Sequence, residues 1–573
     1  MTLWSYIPQV AGSGVLMVSC YFLGKMNYSS LWVVIFIALN FAKNKLWKSR
    51  QKHQLALQSA ARYEREVVTT TLEGKLQDLP PWVHFPDVER VEWLNKMILQ
   101  MWPHIGEYTK QYINENVVPI IKDNLPGPFK SFKFEHMDMG DIPVRVGGIK
   151  VYSENIARDT IVMDMDVSFA GDCNFIVSVG AFKAGLNSLQ FKGRLRAICK
   201  PLVPQPPLMG AVEAYFLDNP TIDFDLTGLG EMVELPGLFN AIRAVVVSQV
   251  ANICVLPHSI TIPLIPDVDP VKLFFPTPDG VVRIHLVAAR NLENKDVSFL
   301  KKGKSDPYCH ISVGGQMFKS RVVENDLNPR FNEFYEAVVQ QASGQSILVE
   351  VFDEDNACKD EELGRTIIDL ELVRSQRTVD RWFPLENCKH GDVQLKLSWL
   401  FLSDQKSDLD QSMLESQQWE AQWLSRDMTL NCGILLVYID SAKNLPYIKS
   451  ELEPSPYIEM TVGNHVEKTY VKQKTTNPVY QQKFQFLLDN PENQRIKFEA
   501  KNQGNNRSLG EITVPINHIL KEPNLEIEQH TFSITQGSHA GQVIVTLRLR
   551  LFTQKDPHSP EPEPEVSTKD KAT

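Results

Sequence analysis

KKGKSDPYCHISVGG (residues 301–315) and PSPYIEMTVGN (residues 454–464) answer each other across the second half of the chain. GVVRIHLVAARNL (280–292) matches GILLVYIDSAKNL (433–445) with no gap. NPRFNEFYEAVV from Asn328 matches NPVYQQKFQFLL from Asn477, each at the same distance after its own tyrosine. The C-terminal half is therefore one β-rich unit built twice.

The copies differ at their loop tips. In the first, Asp296 and Asp306 bracket one loop, and FDEDNACKDEELG (352–364) supplies Asp353, Asp355, Asp360 and Glu361, with Glu354 adjacent. Hard oxygen ligands that converge from flexible loops suit calcium. Without a cation these carboxylates repel one another; a bound calcium reverses the local potential and lets anionic headgroups approach. Lys295, Lys301, Lys302 and Lys304 lie beside the site and add roughly 1 kcal/mol each near an anionic surface. Phe299 and Leu300 at the loop tip are placed to insert.

In the second copy Ser455 stands where Asp306 stood. FEAKNQGNNRSLG (498–510), laid without gaps on the acidic run, puts Glu499, Lys501 and Arg507 at the ligand positions, and two cations there exclude a metal. Lys468, Lys472 and Lys474 make either a calcium-independent basic face or an ordinary solvated strand. The expectation is one metal-dependent and one metal-independent surface.

The N-terminus is of another kind. About 19 apolar residues from Tyr6 would make a helix of roughly 28 Å, close to a bilayer core. LWVVIFIALNFA (31–42) follows, too short to span alone, and then Lys43, Lys45, Lys48, Arg50 and Lys52 mark the cytoplasmic side. The reading is a hydrophobic hairpin that dips into the membrane and returns; a single span with an apolar flank is the alternative. Residues 44–81 read as a polar helical stalk.

The middle unit opens with helical spacing: Val91, Leu94, Ile98, Met101, Ile105, Tyr108 and Tyr112, with Pro103 expected to kink or divide the helix. The period then changes to two. Ile161, Met163, Met165, Val167 and Phe169 alternate with Asp164, Asp166 and Ser168. Leu189, Phe191 and Leu195 alternate with Gln190, Lys192, Arg194 and Arg196, and Ile222, Phe224 and Leu226 repeat the pattern. This is antiparallel sheet with one dry and one wet face. The dry face is open to two readings, an ordinary filled core or a surface for lipid. A helix over 238–255, apolar nearly all round, should cover it. The linker IPDVDPVKLFFPTPDG (265–280), with its four prolines, should be stiff. Trp419 and Trp423 mark a short helix between the repeats, and the tail is rich in proline and charge.

At 573 residues the chain holds three or four domains. Its net charge of −10 argues against nucleic-acid binding. Eight scattered cysteines indicate a reducing compartment. The absence of G-x-S-x-G, P-loop and H-E-x-x-H patterns argues against an enzyme.

The repeats resemble C2 domains, and the order of hairpin, the unit beginning WVHFPDVERVEWLNKMILQMWPHIGEY (82–108) and tandem repeats resembles the extended synaptotagmin family. The resemblance implies an α+β SMP (TULIP-like) lipid-binding domain followed by two all-β C2 sandwiches, behind an N-terminal membrane hairpin. The expected division is hairpin 1–43, stalk 44–81, SMP domain 82–270, first C2 domain 271–402, linker 403–428, second C2 domain 429–553 and tail 554–573. It implies a tether anchored in the endoplasmic reticulum that moves glycerophospholipids at contacts with the anionic plasma membrane, as an SMP homodimer. The other function kept open is a calcium sensor for docking or fusion with the middle unit as a spacer. Carried onto this chain, the calcium ligands fall on Lys295 by its carbonyl, Asp296, Asp306, Asp353, Asp355, Asp360 and Glu361, the last position being shared between Asp360 and Glu361.

Overall fold

The computed structural model describes most residues from Glu89 to Asp556. Among the stretches it leaves out are 119–130, 229–246, 295–296, 299–300, 303–304, 355–359 and 424–428. The hairpin, the stalk and nearly all of the tail lie outside the described residues, as does most of the helix expected over 238–255. Among the described residues, no helix is long and apolar enough to cross a membrane.

Two compact units result. The first comprises the residues up to Ile149, Asp166–Lys192 and Thr221–Ile242; the second comprises Lys150–Met165, Gly193–Pro220 and everything from Arg243.

In the first unit, helix α1 spans Glu92–Tyr112 without dividing at Pro103. The turns up to the proline are held by contacts from outside the helix. Asn95 exchanges hydrogen bonds with the Val146 backbone at 2.9 Å in both directions, and the buried Trp102 donates from Nε1 to the Gly140 carbonyl at 2.9 Å. Strand β1 (Lys133–Asp138) follows, then β2 (Arg145–Val151), β3 (Ile161–Ala170), β4 (Asn174–Val179), β5 (Phe182–Leu202), β6 (Met209–Phe216), β7 (Thr221–Gly228) and β8 (Ile260–Pro263). Within the first unit β4 pairs antiparallel with β1 and with the start of β5, which also pairs with β7.

In the second unit the end of β5 pairs with β6, and β6 with β8. Val162, Ile198, Tyr215, Leu217 and Leu256 form a small core there. The first repeat is a β-sandwich. One sheet holds β9 (Gly280–Arg290), β14 (Arg330–Val339), β17 (Thr378–Pro384) and β18 (Asp392–Ser403); the other holds β12 (Pro307–Val313), β13 (Gln316–Lys319), β15 (Ser346–Asp353) and β16 (Glu361–Asp369). A small hairpin, β10 (Val297–Ser298) with β11 (Lys301–Lys302), rides on the first loop, and helix α2 (Leu370–Gln376) closes the far side. Helix α3 (Leu409–Trp423) leads to the second repeat, with β19 (Gly433–Lys443), β20 (Pro456–Val462), β21 (His465–Lys468), β22 (Val479–Leu488), β23 (Arg495–Asn502), β24 (Ser508–Pro515), β25 (Glu526–Gln536) and β26 (His539–Thr553).

The duplication extends to single bonds. The same positions are buried along β9 and β19. Asn291 and Asn444 both take positive φ, at 52° and 53°, a region asparagine tolerates better than most residues. Their backbone N–H groups are held at 2.9 Å by the side chains of Asn328 and Asn477 respectively. This explains the asparagine in both the N-L and N-P pairs.

The two repeats are joined through their own strands. The overhang of β18 pairs with β26, Phe401 to Thr553 and Ser403 to Leu551. The end of the linker is embedded: Phe275 is buried with Val281, Val338, Leu436 and Tyr438, and Arg548 donates to its carbonyl at 2.6 Å. Helix α3 packs between the repeats as its tryptophan spacing suggests, with Trp419 edge-on to Phe334 at 6.3 Å and Lys396 over its ring. Ser412 and Ser416 tie the helix to the Cys432 and Asn431 carbonyls.

Candidate metal and membrane site

Strand register gathers the acidic residues of the first repeat at one end of the sandwich. Pro307 pairs with Asp353, and Asp353 pairs with Glu361, so Asp306, Asp353, Asp360 and Glu361 meet at adjacent strand ends. Donors from the scaffold hold them. The Asp306 N–H donates to Asp353 Oδ1 at 2.6 Å, the Asn325 N–H to Asp306 Oδ1 at 2.7 Å, and the Tyr308 hydroxyl to Asp360 Oδ2 at 2.7 Å. Burial, reinforced by Asp360 and Glu354, raises the Tyr308 phenol well above its ordinary value, so it stays a donor. The Glu354 carboxylate points elsewhere, 3.5 Å from the Lys319 ammonium.

Lys295, Asp296, Asp355, Phe299, Leu300 and Lys304 lie outside the described residues; of Lys301 and Lys302 only the backbone of β11 is described. Among the described residues, no three His, Cys, Asp or Glu side chains form a metal-holding group by themselves. Tyr308 and Asn325 were not singled out in the sequence, although the tyrosine's recurrence as Tyr457 was the available signal.

The second repeat corrects the ungapped alignment. Here Pro456 pairs with Asn502, and Tyr457 with Lys501. Asn502, not Glu499, therefore occupies the Asp353 position, and the loop that follows is three residues shorter. The Leu-Gly shared after the loop favours the ungapped pairing, and the strand before the loop fixes the true register. Lys501 lies on the sheet, where its ammonium is 2.5 Å from Glu459. Three scaffold bonds are retained with the charge removed. The Ser455 N–H donates to Asn502 Oδ1 at 2.8 Å, the Lys474 N–H to Ser455 Oγ at 3.3 Å, and the Tyr457 hydroxyl to Asn506 Oδ1 at 3.3 Å. Ser455, Asn502, Asn506 and Arg507 thus stand for Asp306, Asp353, Asp360 and Glu361.

The strands of the middle domain depart from simple alternation. Val167, Phe169, Ile222 and Phe224 are buried, whereas Ile161, Met163, Met165, Leu189, Phe191 and Leu195 are only half-buried. The side chain of Leu226 lies outside the described residues. On the face expected to be wet, Asp164 and Arg196 are buried, Arg196 at 1% exposure. Arg196 donates from Nε to Asp164 Oδ1 at 2.6 Å and from Nη1 to the Ser343 carbonyl at 2.7 Å, and Tyr152 donates to Asp164 Oδ2 at 2.8 Å. The expectation fails there because the first repeat covers the polar face. Tyr215 adds a bond to Gln341 at 2.6 Å. Glu213 is also buried; burial alone would raise its carboxyl, but Lys483 and Lys200 hold it below the usual range. Alternation within one strand cannot reveal that a second domain will cover its polar side.

Residues 87–265 match the family described as Synaptotagmin-like mitochondrial-lipid-binding domain, and residues 280–385 and 433–532 match the C2 domain. Extended synaptotagmin-2 of Homo sapiens is 35% identical over 555 residues, 95% of this chain and 59% of that protein. Extended synaptotagmin-1 of Rattus norvegicus is 34% identical over 543 residues, 94% of this chain and 49% of that protein. This chain therefore spans less than two thirds of the length of either relative. A solved structure of extended synaptotagmin 2, holding its SMP domain and two C2 domains, is similar with a TM-score of 0.59 at 32% identity, over 82% of this chain and all of that one. With its α+β SMP domain followed by two all-β C2 sandwiches, the chain belongs to the extended synaptotagmin family.

Proposed function

We propose that this chain is a non-enzymatic membrane tether that carries glycerophospholipid on its SMP domain and docks on an anionic membrane under calcium control. The observation that carries the lipid reading is the state of the expected dry face. Ile161, Met163, Met165, Leu189, Phe191 and Leu195 are apolar strand residues that the fold leaves only partly buried. A filled core buries such positions; a surface that acyl chains cover does not need to. Covering them is worth about 25 cal/mol per Å².

For calcium, the donor set of the first C2 domain is all oxygen, and scaffold donors fix the Asp306, Asp353 and Asp360 carboxylates one by one at adjacent strand ends. With Asp296, Asp355, Glu361 and the Lys295 carbonyl these residues would hold the ion. Bound, it would neutralise the acidic end and let Phe299, Leu300, Lys301, Lys302 and Lys304 meet headgroups. The apolar N-terminal sequence would anchor the tether in the endoplasmic reticulum, with the plasma membrane as the facing surface. Self-association through the SMP domain is supported by α1, where Trp93, Met97, Met101 and Tyr108 are about half-exposed or more along one side.

The test is mass spectrometry of the full chain, extracted gently from membranes, for co-purifying glycerophospholipid. Its presence, and its loss in Met163→Trp with Leu195→Trp, supports the reading; a lipid-free chain that still bridges vesicles makes the middle domain a spacer.

A further inference from the structure

The loop end of the second C2 domain keeps its scaffold without its charge, and further bonds run within and between its loops. Arg507, at the position of Glu361, donates from Nη1 to the Ile448 carbonyl in the first loop at 3.3 Å. Gln473 of the second loop donates to Gln503 of the third at 3.2 Å and accepts from the Ser455 hydroxyl at 3.0 Å. Asn502 bonds Asn505 within the third loop at 3.0 Å. A calcium ion in such a site joins loops by drawing their oxygens together. A guanidinium joins them by donating to a carbonyl, and it is charged at every physiological pH.

Charge separates this end from the adjoining sheet. On the sheet, Lys468, Lys497 and Lys501 are paired with Glu459, Glu499 and Glu511. Burial opposes ionisation of Glu459, yet Lys501 and Lys468 hold its carboxyl below the usual range. At the loop end, Arg507, Lys472 and Lys474 form no ion pair among the described residues. Glu453, exposed on the first loop, opposes their field without being bonded to them. Beside Ile448, Tyr447 and Leu452 are 55% and 57% exposed. An apolar pair next to unpaired cations, on loops already fastened together, complements the interfacial layer of an anionic bilayer.

We propose that the three-loop end of the second C2 domain is a calcium-independent docking surface for anionic lipid, with Arg507 joining its loops from the position that Glu361 holds in the first domain. This does not rest on calcium docking by the first domain, which the same assay reads separately. The full chain is reconstituted in phosphatidylcholine vesicles and mixed with phosphatidylcholine–phosphatidylserine vesicles, and clustering is followed by light scattering in chelator and in calcium. In chelator the wild type and the Asp306→Asn, Asp353→Asn variant cluster these vesicles but not pure phosphatidylcholine ones. Tyr447→Ser with Leu452→Ser, both at exposed positions, lowers chelator clustering about tenfold, as does Arg507→Gln. The calcium-stimulated increment is retained, which shows that the chain is folded. The proposal is overturned if the wild type does not cluster in chelator, if clustering ignores phosphatidylserine, or if the serine variant clusters as the wild type does.

Discussion

The Asp306 N–H donates to the Asp353 carboxylate at 2.6 Å, and the equivalent bond from Ser455 to Asn502 measures 2.8 Å. One scaffold therefore holds a carboxylate in one domain and an amide in the other, and the difference between them is charge. Because the Asn502 amide accepts the same bond, the role of Asp353 as an acceptor is separable from its role as a ligand.

From this follows a calcium prediction. Asp353→Asn in the full chain keeps the acceptor and the fold but loses calcium binding by titration calorimetry. Asp353→Ala also leaves the Asp306 N–H unsatisfied and costs about 1–3 kcal/mol of stability. Calcium binding with full stoichiometry by the asparagine variant would remove Asp353 from the site.

The second domain should be silent to calcium for the opposite reason. Chains carrying Asp306→Asn with Asp353→Asn should show no remaining calcium heat, because Ser455, Asn502 and Asn506 are neutral and Arg507 is a cation. Residual heat of the wild-type size would place a site in the second domain.

The buried pair of Arg196 and Asp164 gives a stability prediction. Arg196→Ala leaves a carboxylate in the interior and costs about 3–5 kcal/mol, whereas Arg196→Met with Asp164→Leu recovers most of it. Thermal unfolding of the full chain reads both. Equal midpoints for the single and double variants would mean that the ion pair does not stabilise the fold in this way.

Burial, with Lys483 nearby, pushes the His258 imidazole down from 6.5 to about 4. The folded state thus takes up its proton later than the unfolded state. The stabilisation is complete above pH 6.5 and is lost as the pH falls through that value towards 4. His258→Gln should flatten the urea midpoint across this window, and an unchanged slope would assign the acid sensitivity to other groups.

Much of this molecule is legible in its sequence, for physical reasons. Period-two patterns placed β3, β5 and β7, since successive residues of a strand point to opposite faces of its sheet. The repeat was visible because Asn291 and Asn444 need the same strained backbone and the same asparagine partner. The loop end was only partly legible. A three-residue deletion between Asn502 and Asn506 is invisible when Leu-Gly beyond the loop sets the alignment, and only strand pairing corrects it. Arg196 looked solvated because its cover, Ser343, is distant in sequence.

The proposed function stands or falls on whether lipid moves on the partly buried apolar strands of the SMP domain. The most direct measurement is transfer of a fluorescent phospholipid from vesicles holding the full chain to acceptor vesicles, with clustering recorded in the same sample. Wild type should cluster and transfer, and Met163→Trp with Leu195→Trp should cluster equally but transfer at the rate of protein-free vesicles. Transfer at the wild-type rate by the clustering double variant would contradict the account.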